Sequence, residues 1–212
     1  MGLGKRLFLM QTERPIKHKK RNPGRNVFGF ILAGGRSSRM GTDKASVIID
    51  GKSMLEHTKS ILADVSGEVA VVGGAYADIA DAMPFSGPAS AIARLISSHS
   101  DYEDTIALFM PVDMPRVETV SLEALISQVK RLNKPVYFER DYLPVALPVS
   151  TELTQTLRLL LEASEAPSMR QLLQITGARS VPRVGSASSF VNLNTPVAIS
   201  TASRKTPQTE RK

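Results

Sequence analysis

The chain has 212 residues, 42% of them hydrophobic, 22% charged and 5% aromatic. That composition suits one well-filled core and excludes a collagen-like, coiled-coil or largely disordered protein; no apolar run approaches the roughly 18 to 20 residues of a membrane span. With no cysteine, disulfides, thiolate zinc sites, iron–sulfur clusters and cysteine nucleophiles are excluded as well.

The net charge of +7 belongs to the ends. Residues 1–25 carry eight lysines and arginines against Glu13, and the stretch from 197 onward carries four against Glu210, which leaves −3 for residues 26–196. The leading arm contains only Leu7-Phe8-Leu9-Met10 as an apolar stretch, too short for a secretory signal, which points to the cytoplasm. It reads as a solvated extension, with attachment to RNA, another polyanion or an acidic partner as the alternative. Nucleic-acid binding ranks last as a principal function, since Phe8 is the arm's single aromatic for base stacking. His18, His57 and His99 lack the spacing of a histidine metal site and read as surface residues.

In chain order, the near-continuous apolar run Val27 to Leu32 predicts a strand covered on both faces, opening into a glycine-rich loop. A second strand is expected at Ser46 to Asp50. Ser53 and Glu56 stand at capping-box spacing and start a helix that ends near Gly67. A strand at Val69 to Val72, a helix at Ala89 to Ser97 and a strand at Thr105 to Met110 follow, the last running into Pro111-Val112-Asp113-Met114-Pro115. Helices are expected near Ser121 to Leu132, Glu152 to Leu161 and Ser168 to Ile175. Strands are expected at Pro135 to Phe138, Val145 to Val149, Arg179 to Pro182 and Phe190 to Asn192. This alternation predicts an α/β domain with a largely parallel sheet, one domain over residues 26–200 between a basic arm (1–25) and a polar tail (201–212).

The loop after the first strand, Leu32-Ala33-Gly34-Gly35-Arg36-Ser37-Ser38-Arg39-Met40-Gly41-Thr42-Asp43-Lys44, combines glycines that let backbone N–H groups approach an anion with cations that neutralise it. It has neither the P-loop spacing nor G-x-G-x-x-G. By glycines and basic residues alone it suits a plain turn as well as a phosphate site.

The full string resembles the signature L-A-G-G-x-S-x-R-M-G-x-D-K of the molybdenum cofactor guanylyltransferases, and every fixed position is matched. Pro111-Val112-Asp113-Met114-Pro115 is similar to the family's P-x-D-M-P, and Asn192-Leu193-Asn194-Thr195-Pro196 to its N-x-N-T-P. Asp81 stands where the family places an acidic residue at the guanine. The resemblance covers roughly residues 27–200. It implies a three-layer, Rossmann-like nucleotidyltransferase fold with a mostly parallel central sheet, and transfer of GMP from GTP to molybdopterin with Mg²⁺. It further implies a GTP site of Leu32, Ala33, Gly34, Gly35, Arg39, Lys44, Asp81 and Asp113, with Lys44, Arg39 and Asp113 catalytic. Asp113 and Asn194 would be the metal ligands. L-A-G-G in place of L-A-A-G is the family's sign for guanine over cytosine. Molybdoenzymes or their chaperones would receive the product.

Three departures accompany the match. The family's G-P-L-A-G is Gly87-Pro88-Ala89-Ser90-Ala91, its base-contacting asparagine is replaced by Val72-Gly73-Gly74, and no acidic residues follow Asn194-Thr195-Pro196. Taken singly, Asp113 also suits a turn cap, Lys44 a solvated lysine, and Asn194-Thr195-Pro196 a helix start. The alternatives are a CTP-using relative, a nucleotidyltransferase with another phosphate acceptor, and a non-catalytic GTP binder.

Overall fold

Alternating side chains of Val27–Leu32, strand β1, are buried on both faces of a sheet, as a continuous apolar run demands. The computed structural model describes residues 26–35, 43–99, 102 and 104–193; the basic arm, most of the glycine-rich loop and the C-terminal tail lie outside them. Val27 and Ile31 pack into one core layer, and Phe28, Phe30 and Leu32 into the other.

After β1 come a short hairpin of β2 (Ile48–Ile49) and β3 (Lys52–Ser53), α1 (Met54–Val65), β4 (Glu68–Val72), α2 (Pro88–Ser98), β5 (Ile106–Pro111) and α3 (Thr119–Leu132). Then follow β6 (Val136–Phe138), β7 (Val145–Pro148), α4 (Thr151–Ala163), α5 (Met169–Ile175) and β8 (Arg179–Val181). The main sheet has the order β4-β1-β5-β7-β6-β8. β7 alone runs antiparallel to its neighbours, so the expectation of a mostly parallel sheet holds. Helices α1 and α3 cover one face, and α2, α4 and α5 the other, completing three layers. Phe30 stacks on Phe109 at 4.9 Å and meets Tyr102 edge-on at 5.1 Å, tying the neighbouring strands β1 and β5 together on the α2 side. Among the described residues no helix is long and apolar enough to cross a membrane.

Two expected strands are corrected. Ser46–Asp50 begins as a 3₁₀ turn, Lys44–Ser46, because the Asp43 side chain accepts from Ala45 N. Only Ile48 and Ile49 then pair, since Asp50 and Gly51 adopt positive φ and turn the chain straight back onto Lys52 and Ser53. Phe190–Asn192 forms no ladder. Ser186 caps a 3₁₀ turn at Ala187–Phe190, and Leu193 N bonds to Asp113 O, which draws the segment toward the end of β5. The histidines are also less exposed than expected: His57 and His99 are half-buried, with ring nitrogens on Ile49 O and Leu95 O. His18 lies outside the described residues.

Helix α1 starts as its sequence requires, with Ser53 Oγ accepting from Glu56 N and the Glu56 carboxylate accepting from Ser53 N at 2.7 Å. That backbone N–H and, second, the Ser53 hydroxyl hold the Glu56 carboxyl below its ordinary value. A lowered folded-state pKa stabilises above the unfolded value and stops doing so as pH falls through the folded one. The stability advantage of wild type over Glu56→Gln should therefore shrink between about pH 6 and about pH 3; an unchanged difference in thermal melts across that range would contradict it. Gly29 is the second sensitive point. A Cβ there would stand 2.9 Å from Ser66 Oγ and 3.3 Å from Leu62 Cβ, because α1 lies directly on β1. Gly29→Val should lower the denaturation midpoint by the equivalent of about 1 to 3 kcal/mol.

Candidate functional site

The connections after β1 and β5 leave the sheet in opposite directions, β1 toward β4 and β5 toward β6. Such a divergence opens a crevice at the carboxyl ends of two adjacent strands, where open α/β sheets bind ligands. Here it holds Ala33, Gly34 and Gly35 after β1, Gly73 and Gly74 after β4, and Asp113 after β5.

The loops after β1 and β4 touch through glycine. Ala33 N donates to Val72 O, and a Cβ on Gly73 would meet Gly34 Cα at 3.1 Å and Asp81 Cβ at 3.2 Å. Gly73 and Gly74 have φ of +69° and +79°, and a Cβ on Gly74 would stand 3.0 Å from Ala33 O. Only glycine satisfies both the backbone angle and this approach.

Beside this contact lies an open cleft of about 650 Å³, whose lining includes Gly34, Gly35, Asp43, Asp81, Pro84 and Phe85. Asp81 is half-buried. Its Oδ1 accepts from Met83 N at 3.0 Å, and its Oδ2 stands 3.5 Å from where a Gly34 Cβ would be. Pro84 and Phe85 form the corners of a turn closed by Ser86 N on Met83 O. Phe85 has φ +68°, at the turn position that favours glycine; a non-glycine residue there costs of order 1 to 3 kcal/mol.

Lys44 Nζ lies 3.2 Å from Asp113 Oδ2, with 26% and 18% of the two side chains exposed. The pair stands next to the cleft, and Asp43 links the two along the chain. Asp113 is fixed from both sides: Val112 N bonds to Leu32 O, and Asp113 O accepts from Leu193 N at 2.8 Å.

Of the expected site residues, the structure brings Ala33, Gly34, Gly35 and Asp81 to one cleft and Lys44 and Asp113 to one ion pair. Leu32 stands apart, its side chain 8% exposed in the core layer and its carbonyl held by Val112. A strand register that places Ala33 at the cleft buries its predecessor. Arg39 and Asn194 lie outside the described residues. Sequence reasoning missed Phe85 and Pro84. Their signal was proline followed by a large apolar residue just before Ser86-Gly87.

The altered Gly87-to-Ala91 segment opens α2 with Gly87 at φ +94° and Pro88 in the first turn. Ser90, fully buried, donates to Glu165 O at 3.2 Å and accepts from Arg94 Nε. The departure thereby ties α2 to the connection between α4 and α5.

The family profile described as the MobA-like NTP transferase domain matches residues 29–188. A molybdenum cofactor guanylyltransferase of Xanthomonas euvesicatoria pv. vesicatoria is 35% identical over 173 residues, 79% of this chain and 89% of the relative. Among solved structures, molybdopterin-guanine dinucleotide biosynthesis protein A of Archaeoglobus fulgidus superposes with a TM-score of 0.64 at 17% identity, covering 83% of this chain and 96% of the other. The 2-C-methyl-D-erythritol 4-phosphate cytidylyltransferase of Francisella tularensis gives 0.63 at 12% identity, covering 84% and 98%. These two likenesses establish a Rossmann-like nucleotidyltransferase fold.

Because a Cβ at position 74 meets the Ala33 carbonyl, Gly74→Ala should lower stability by about 1 to 2 kcal/mol, from left-handed backbone strain alone. A mutant melting at the wild-type temperature would show that the two loops separate freely.

Proposed function

The chain belongs to the MobA-like NTP transferase domain family, and we propose that it transfers GMP from GTP to the terminal phosphate of molybdopterin, releasing pyrophosphate. The observation that carries the reading is the Lys44–Asp113 pair at 3.2 Å, set between the β1 and β5 loops beside the glycine-lined cleft. The 35% identical relative, named as a guanylyltransferase, supports the nucleotide and the acceptor.

The obstacle in this reaction is repulsion between two polyanions. A phosphate monoester with its second pKa near 6 is already ionised at neutral pH, so no general base is required. Its oxygen attacks the α-phosphorus of GTP. The new P–O bond forms as the bridge to the β-phosphorus breaks, and that electron pair leaves with pyrophosphate.

The chain's own residues position the anions and neutralise their charge. Since Ala33 N is committed to Val72, the loop amides that meet phosphate begin at Gly34 and continue through Gly35. Lys44 places its ammonium on the reacting phosphates, and Arg39 takes the departing pyrophosphate. Asp81 accepts from the N–H edge of guanine. Asp113 would hold Mg²⁺, with Asn194 as a second ligand. An ion that takes one or two protein carboxylates plus phosphate oxygens suits a single aspartate shared with a lysine. When bound, it withdraws charge from the phosphates and makes the α-phosphorus more open to attack. Molybdoenzymes or their chaperones would receive the dinucleotide.

With molybdopterin and Mg²⁺ present, pyrophosphate should be released from GTP and not from CTP, ATP or UTP. Equal release from CTP would replace the guanylyl reading. Partly exposed ion pairs contribute roughly 0 to 1 kcal/mol to stability, so Lys44→Ala should melt close to wild type while kcat falls about 100-fold or more. Asp113→Ala should abolish the Mg²⁺ dependence of turnover; a wild-type Mg²⁺ titration would remove Asp113 as the metal ligand.

A further inference from the structure

Gly34, Gly35 and Asp43 line the cleft from the connection after β1, and Asp81, Pro84 and Phe85 line it from the connection between β4 and α2. Phe85 is the one aromatic among the described residues lining the cleft, and it is 63% exposed. It also holds a positive φ, where its Cβ crowds the backbone and glycine would be free of strain. At this position the ring stands at the cleft with most of its surface open to solvent. The turn that imposes it is built in: Pro84 presets the first corner, and the Ser86 main chain and hydroxyl both bond to Met83 O.

A planar heterocycle needs an edge partner and a face partner. Asp81 supplies a carboxylate already oriented by Met83 N, and it stands just ahead of the Pro84–Phe85 corner in the chain. Gly73 and Gly74 offer no side chain at all. We infer that Phe85 is the residue on which the nucleotide base stacks, held by its strained turn at the open side of the cleft. This deepens the GTP reading and rests on it. Asp81 would select the base by its hydrogen-bonding edge. Phe85 contributes affinity without selecting among bases, because every base has a π-face.

The chain contains no tryptophan, so Phe85→Trp creates a single fluorescent reporter at the site. Tyr76→Trp, on the same segment, 51% exposed and outside the cleft lining, serves as the control. GDP should quench the fluorescence of Phe85→Trp saturably, inorganic pyrophosphate should not, and Tyr76→Trp should respond little to either. Phe85→Gly relieves the strain, so it should melt at or above the wild-type temperature while KM for GTP rises roughly tenfold at unchanged kcat. Phe85→Gly should still release pyrophosphate from GTP and not from CTP, ATP or UTP. Fluorescence of Phe85→Trp that ignores GDP, at concentrations that saturate the wild type by calorimetry, would overturn the inference and leave the GTP reading standing. So would a wild-type KM in Phe85→Gly, or a loss of melting temperature that accounts for the weaker binding. Failure of the wild type to bind GDP or GTP at all would remove both.

Discussion

The contact on which the site depends is main chain against main chain: Gly34 on Gly73, and Gly74 on the Ala33 carbonyl. It brings the loop after β1 and the loop after β4 closer than any two residues with Cβ atoms would allow, and it places the Asp81 carboxylate over Gly34. The sheet makes this approach possible. β1 and β4 run parallel and in register from Phe28 with Glu68 to Leu32 with Val72, so both strands deliver their loops at the same height.

The same reasoning explains the pairing of Lys44 with Asp113. β1 and β5 are also in register, Leu32 opposite Pro111, and Val112 N bonds back to Leu32 O. The residue after Val112 therefore projects beyond the sheet edge. Lys44 reaches it through a 3₁₀ turn that Asp43 caps, so the adjacent Asp43 and Lys44 have two separate tasks: the aspartate builds the turn and the lysine meets the carboxylate. A charge pair that is partly solvated adds little stability. What it does is hold a cation and a carboxylate together beside the cleft.

Where the chain departs from its relatives' motifs, the structure supplies compensations. The buried Ser90 finds partners in Glu165 O and Arg94, and Arg94 also reaches Met83 and Glu165 O. The Met83 turn that carries Phe85 is thereby anchored to α2 and, through it, to the α4–α5 connection. The wall of the cleft is held by the helical layer beneath it and not by the loop alone.

Local patterns determined most of the element list. Continuous apolar runs marked the buried strands, and Ser53 with Glu56 marked the start of α1, because strand burial and capping are decided within a few residues. The glycine-rich string after β1 and Asp113 were legible for the same reason, since each lies in a contiguous motif. At Ser46–Asp50 a local side-chain cap and a tight turn outweigh strand preference and leave two paired residues, whereas at Phe190–Asn192 a tertiary contact decides, Leu193 bonding to Asp113 O in place of a neighbouring strand. Only the fold could show that Asp81 faces Gly34, that Leu32 belongs to the core, that the glycines at 73 and 74 are a contact and not a gap, and that Phe85 lines the same cleft. These are relations between residues far apart in the chain, created by strand register and loop approach, and no window of sequence contains them.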